Sequence, residues 1–157
     1  MIRWKNPRDM PGIVRLVRTQ LVPLSPWHHP RDRRLYGDVV RRLREGATLV
    51  VSSSRSSDPF AFLHMIVKDS TLFVDLLAVD PSQQNRHWGT ALMRRAEEYG
   101  ISKGCTNALL FVDEGNDKAH RFYNRLGYRT VQHVGELRCY RLEKPLESFQ
   151  KDWLLGL

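Results

Sequence analysis

Between Leu72 and Gly104 the hydrophobic period of the chain changes once, and that change limits the folds open to it. Phe73, Val74, Leu76, Leu77, Ala78 and Val79 form a short, nearly continuous apolar run, and Asp80-Pro81 stops it. A run of this length with β-branched and aromatic members reads as a strand buried on both faces. From Trp88 the spacing is different. Trp88, Leu92, Ala96 and Tyr99 recur every three or four residues with Arg94, Arg95, Glu97 and Glu98 between them, as on a helix with one buried face. The turn from Ser82 to Gly89 therefore sits at a helix N-terminus. Unpaired N–H groups and the positive end of the helix dipole make such a turn a natural seat for a phosphate.

The rest of the chain supplies partners for this unit. Ile2 to Lys5 reads as an edge strand ended by Asn6-Pro7, and Met10, Ile13, Val14, Leu16, Val17 and Leu21 mark a first helix starting at Asp9. Pro23, Pro26 and Pro30 break it. A second helix runs from about Asp32 to Gly46, with Leu35, Tyr36, Val39, Val40 and Leu43 on one face. Arg33, Arg34, Arg41, Arg42 and Arg44 form the other face, which reads first as solvated and second as a nucleic-acid contact. Thr48 to Val51 and Phe60 to Val67 read as paired strands, and Ala108 to Val112 as another. Asn116 is placed to cap a helix carrying Ala119, Phe122, Tyr123 and Leu126, which Gly127 ends. Tyr128 to Val134 and Leu137 to Leu142 close the sheet as a hairpin, and the apolar tail 145–157 is a candidate docking segment or dimer interface.

At 157 residues this is one α/β domain (1–157) with a mixed sheet. No apolar run approaches the roughly 18 residues of a membrane span, and the N-terminus lacks the apolar core of a signal peptide, so a cytoplasmic protein is expected. Cys105 and Cys139 are too few for a disulfide framework or a zinc cluster and read as buried thiols. The histidines show no metal-ligand spacing, so no metal is expected. The formal charge of +8 favours anionic partners without choosing among a nucleotide, an acidic substrate and nucleic acid.

The turn reads Gln84-Asn85-Arg86-His87-Trp88-Gly89, and a later block reads Asn116-Asp117-Lys118-Ala119, then Phe122-Tyr123 and Leu126-Gly127-Tyr128. In this order, with a strand between them, the two blocks resemble the signatures of the GNAT superfamily of N-acetyltransferases, whose turn carries Arg/Gln-x-x-Gly-x-Gly/Ala. Gln84 and Gly89 match; His87 stands where the family has its first glycine. The resemblance spans Leu72 to Tyr128. It implies a mixed, mostly antiparallel central sheet flanked by about four helices.

It also implies acetyl-CoA as co-substrate and a primary amine as acceptor, joined by direct attack in a ternary complex. The pyrophosphate would lie on Gln84, Asn85, Arg86, His87, Trp88, Gly89 and Thr90. The pantetheine arm would lie beside Leu77, Ala78 and Val79, with Asn116, Ala119 and Tyr123 opposite. His87 is the difficulty, because a residue with a Cβ takes positive φ only at a cost. Tyr123 matches the family's tyrosine that protonates the leaving thiolate; the plainer reading packs it beside Phe122. Asp75, the only carboxylate within the central strand, is the candidate base, or else a cross-strand partner or a solvated residue; Glu114, His64, His120 and an ordered water are other candidates. A main-chain N–H near Leu77 or Ala78 would serve the oxyanion. Trp27, His28 and His29 fall where the family builds part of its acceptor pocket, or are an ordinary proline-rich connection. A basic binding domain on the same scaffold, contacting nucleic acid through Arg41 and Arg42, is the alternative from a different class.

Overall fold

The computed structural model describes residues 1–24 and 31–147. Seven strands form one sheet: β1 (Ile2–Trp4), β2 (Ala47–Val51), β3 (Ala61–Lys68), β4 (Thr71–Val79), β5 (Asn107–Asp113), β6 (Arg129–Val134) and β7 (Cys139–Pro145). Their order is β1-β2-β3-β4-β5-β7-β6, antiparallel throughout except where β4 runs parallel to β5. That one parallel step needs a crossover, and α3 (Trp88–Ser102) supplies it. The other helices are α1 (Met10–Leu16), α2 (Leu35–Leu43) and α4 (Asp117–Arg125).

The strand alternation divides the core in two. Leu49, Val51, Leu63, Met65, Leu72 and Val74 face Leu92, Met93 and Ala96 of α3, and α4 adds Ala119, Phe122 and Tyr123 to that side. Val50, Phe62 and Ala78 point the other way, into a second cluster with Ile13, Val14 and Leu16 of α1 and Leu35, Val39 and Leu43 of α2. Burying each large side chain contributes about 1.5–3 kcal/mol, so both layers are held mainly by these residues. Burial on both faces, expected for β4, belongs instead to β2 and β3. In β4 only Leu72, Val74 and Ala78 are buried, because one face of the strand opens onto a cleft.

The first helix starts after Asp9, as expected, and a 3-10 turn over Pro7–Asp9 leads into it. Asn6, not Asp9, accepts from the Arg8 N–H (3.0 Å), while the Asp9 carboxylate accepts from the Asn6 N–H (2.8 Å) and from both terminal nitrogens of Arg3 (2.7 and 2.9 Å). After Leu16 the helix widens into a π-type turn over Val17–Leu21. The Thr19 hydroxyl donates back to the Arg15 carbonyl at 2.8 Å there, a contact that bends helices. At the other end of the chain, Leu146 is buried and its N–H donates to the Thr106 carbonyl, and 148–157, most of the expected docking segment, lies outside the described residues. Cys105 and Cys139 are free and buried, and burial pushes both thiols up.

Candidate active site

Two irregularities in one strand open the site. β4 pairs with β5 only at Thr71↔Asn107, Leu72↔Ala108 and Phe73↔Leu109, after which the strands part. Against β3 the register slips between Met65↔Val74 and His64↔Leu76, so Asp75 is a bulge residue with no opposite number. Bulges bend a strand and free its backbone from the ladder. Here the result is a cleft of about 360 Å³ whose floor includes Asp75, Leu76 and Leu77 of β4 and Leu110 to Asp113 of β5. Val17, Leu21, Val39 and Arg42 wall one side; Asn116, Ala119 and Tyr123 wall the other.

The rim beyond Val79 is built from short polar contacts. The Asp80 carboxylate accepts from the Ser82 N–H (2.9 Å) and hydroxyl (2.7 Å), which turns the chain off β4 and holds that carboxyl below its usual range. The Gln84 amide donates to the Val79 carbonyl (3.0 Å) and accepts from Lys118 of α4 (3.3 Å), tying the turn to both sides of the cleft. Asn85 (φ 64°) and His87 (φ 62°, ψ 20°) are left-handed. His87 therefore takes the backbone conformation that favours glycine, and its side chain is exposed.

No side chain caps α3, and its first N–H with a helical partner is that of Ala91, bonded to the His87 carbonyl at 3.0 Å. Among the described residues the N–H groups of Trp88, Gly89 and Thr90 have no acceptor, which leaves a 15-residue helix presenting an open positive end. The N-terminus of α4 is closed by comparison: the Asn116 side chain accepts from the Ala119 N–H at 3.3 Å, as expected. Gly89 also has a packing reason to be glycine. A Cβ there would come within 3.2 Å of the Phe122 ring. Trp88 turns inward and packs edge-on against Phe60 at 5.7 Å.

Of the expected site residues, Leu77, Asn116, Ala119, Tyr123 and Asp75 line the cleft, and Gln84 to Thr90 form the turn at the end of β4. Ala78 does not line it; its side chain lies in the α1/α2 core. Burial pushes the Tyr123 phenol well above its ordinary value, so it keeps its proton. Asp75 is not a free carboxylate. Arg42 Nε donates to Oδ2 (2.8 Å) and its Nη2 to Oδ1 (2.6 Å), and the carboxylate is 4% exposed. The other expected bases stand outside the cleft. His64 is fully buried with Nδ1 on the Thr48 hydroxyl (2.8 Å), Glu114 pairs with His133 (2.5 Å), and His120 bonds the Thr130 hydroxyl (2.7 Å).

Sequence reasoning missed the partnership of Arg42 with Asp75. Arg42 lies 33 residues upstream on a basic helix face, and nothing in the periodicity of α2 separates it from its neighbours. On the face assigned to the nucleic-acid alternative, Arg41 is bonded to Asp38 and Arg42 to Asp75, and both side chains remain more than half exposed. Trp27, His28 and His29, expected near the acceptor, lie outside the described residues. Among the described residues no helix is long and apolar enough to cross a membrane, and no group of three or more His, Cys, Asp or Glu side chains is placed to hold a metal.

A family model described as "Acetyltransferase (GNAT) family" matches residues 12–128. A curated bovine (Bos taurus) protein, thialysine N-epsilon-acetyltransferase, is 23% identical over 84 residues, which are 54% of this chain and 49% of that protein. The chain thus spans about half the length of this relative. Among solved structures, Ard1 from Thermoplasma volcanium superposes with a TM-score of 0.75 at 20% identity, covering 94% of this chain and 98% of the other. The PaiA N-acetyltransferase from Thermoplasma acidophilum, solved in complex with coenzyme A, gives 0.76 at 17% identity, with coverages of 92% and 98%. At these identities the two structures show a shared fold.

Proposed function

The chain belongs to the acetyltransferase (GNAT) family, and on that premise we propose that it moves an acetyl group from acetyl-CoA to a primary amine in a ternary complex. The observation that carries this reading is the uncapped N-terminus of α3 at the rim of a cleft that exposes the backbone of Asp75 to Leu77. The pyrophosphate fits the three free N–H groups of Trp88, Gly89 and Thr90, with Arg86 and Lys118 adding positive charge nearby. The pantetheine arm then runs down the gap between β4 and β5, along Leu77 and past Asn116 and Ala119. That this gap already exists supports the reading: the backbone groups an arm would bond are unpaired in the strand that carries them.

Tyr123 fills the role of general acid. Held protonated by burial and lining the cleft, it gives its proton to the sulfur as the C–S bond breaks and the C–N bond forms. A main-chain N–H of the Leu76–Leu77 stretch, on the side of β4 that has parted from β5, supplies the donor for the oxyanion. Because Arg42 occupies both oxygens of Asp75, we assign removal of the amine proton to water in the cleft and leave Asp75 as a fixed negative charge. The acceptor approaches from the α1/α2 side, where Val17, Leu21 and Asp38 line the opening.

Isothermal titration of the purified chain with acetyl-CoA tests this. Micromolar binding is expected, followed by thiol release when amines are supplied; no binding would overturn the assignment.

A further inference from the structure

The bidentate bond from Arg42 to Asp75 does more than withhold that carboxylate from proton transfer. We propose that Arg42 is a positioning residue: by clamping Asp75 at the β4 bulge from helix α2, it holds the Leu76–Leu77 main chain where the thioester carbonyl of bound acetyl-CoA meets its N–H donor. This rests on acetyl-CoA occupying the cleft. A bulge residue without a ladder partner, on a strand that has left β5, lacks the hydrogen bonds that fix backbone direction elsewhere in the sheet. β3 holds Val74 on one side and Leu76 on the other, so at the bulge itself the tether is the Asp75 side chain, and Arg42 engages both of its oxygens with a planar fork that restricts rotation as well as distance.

His64 is the other group near enough to act on Asp75, with Nε2 at 3.9 Å from Oδ2, beyond hydrogen-bonding distance. Nε2 is buried without a hydrogen-bond partner, and burial lowers the affinity of this ring for a proton. Asp75 is therefore balanced by Arg42 and not by an imidazolium. The clamp also joins two layers, because α2 is anchored in the second core through Leu35, Val39 and Leu43. The acceptor-side helix and the acetyl-side strand are fastened at one point.

The test uses the full chain and acetyl-CoA labelled with ¹³C at the acetyl carbonyl, read by difference infrared spectroscopy alongside titration calorimetry. In the unmodified chain the bound carbonyl band is expected at lower frequency than in free acetyl-CoA. The double variant Arg42→Met/Asp75→Asn removes the clamp without stranding a buried charge, so it folds and binds acetyl-CoA with little change in Kd but loses most of the downshift. Arg42→Lys, which keeps the charge but not the fork, retains part of it. A wild-type downshift in the double variant would overturn the inference, as would no downshift in the unmodified chain when acetyl-CoA binds. Absence of acetyl-CoA binding would overturn the proposed function as well, so the two failures are distinguishable.

Discussion

At His87 a side chain occupies a backbone conformation usually left to glycine, and the loop keeps its left-handed turn rather than changing shape. The left-handed region costs an L-residue about 1–2 kcal/mol, and glycine's larger loss of entropy offsets part of any gain from replacing it. His87→Gly is thus expected to raise stability by about 0.5–1 kcal/mol in denaturant melts while leaving acetyl-CoA binding intact. Lost binding would show that the imidazole, not the backbone, holds the phosphates. Tyr123 poses the opposite question, because its ring packs beside Phe122 and Tyr128 whatever its hydroxyl does. Tyr123→Phe keeps that packing and removes only the proton. Thiol release should fall about 10²-fold or more with unchanged affinity for acetyl-CoA, and an unchanged rate would reduce Tyr123 to a core residue.

Elements are joined at a few buried polar points, and these are where single changes reach furthest. Arg3 on β1 is 12% exposed and holds Asp9, 3% exposed, at the entry to α1. Burial alone would raise the Asp9 carboxyl, but the hydrogen bonds from Arg3 and from the Asn6 N–H outweigh it and pull the carboxyl below its usual range. Arg3→Met would leave that carboxylate buried without its cation, at a cost of about 3–5 kcal/mol. Urea unfolding should report this as a lower midpoint at unchanged slope; a loss under about 1 kcal/mol would place the pair in effective contact with solvent. Tyr128 makes a comparable junction on the other face. Its hydroxyl donates to Glu97 of α3 (2.9 Å), which also accepts from Lys144 of β7 (2.8 Å).

For the whole molecule the buried His64 gives stability a direction in pH. Burial depresses its folded-state pKa below the ordinary 6.5, so below about that pH the unfolded chain binds a proton that the folded chain refuses. Its contribution to stability is complete above the unfolded value and is lost as pH falls from there towards the folded value. Melting temperature should therefore drop on acidification from pH 7 to pH 5, and His64→Gln should flatten that slope. A slope equal in both proteins would assign the acid sensitivity to other groups. The charge of +8 has a less direct meaning than the count suggests. Arg3, Arg41, Arg42 and Arg141 are each paired with a carboxylate of the fold, so part of the positive charge works inside the molecule.

The order and type of the elements follow from features local to each segment. A period of two or of three to four residues is imposed by backbone geometry, and Asn116 and Gly127 act on neighbours a few residues away, so these features are local and legible. The open turn before α3 was legible for the same reason: an N-terminus without a capping side chain is a property of consecutive residues. Which face of β4 lay open was not legible, because an apolar run looks the same whether its second side meets α1 and α2 or a cleft. The bulge at Asp75, the parting of β4 from β5, and the grip of Arg42 were decided by tertiary structure alone. Each depends on register between strands or on contact between residues far apart in the chain, and neither leaves a mark in the spacing of side chains along one segment.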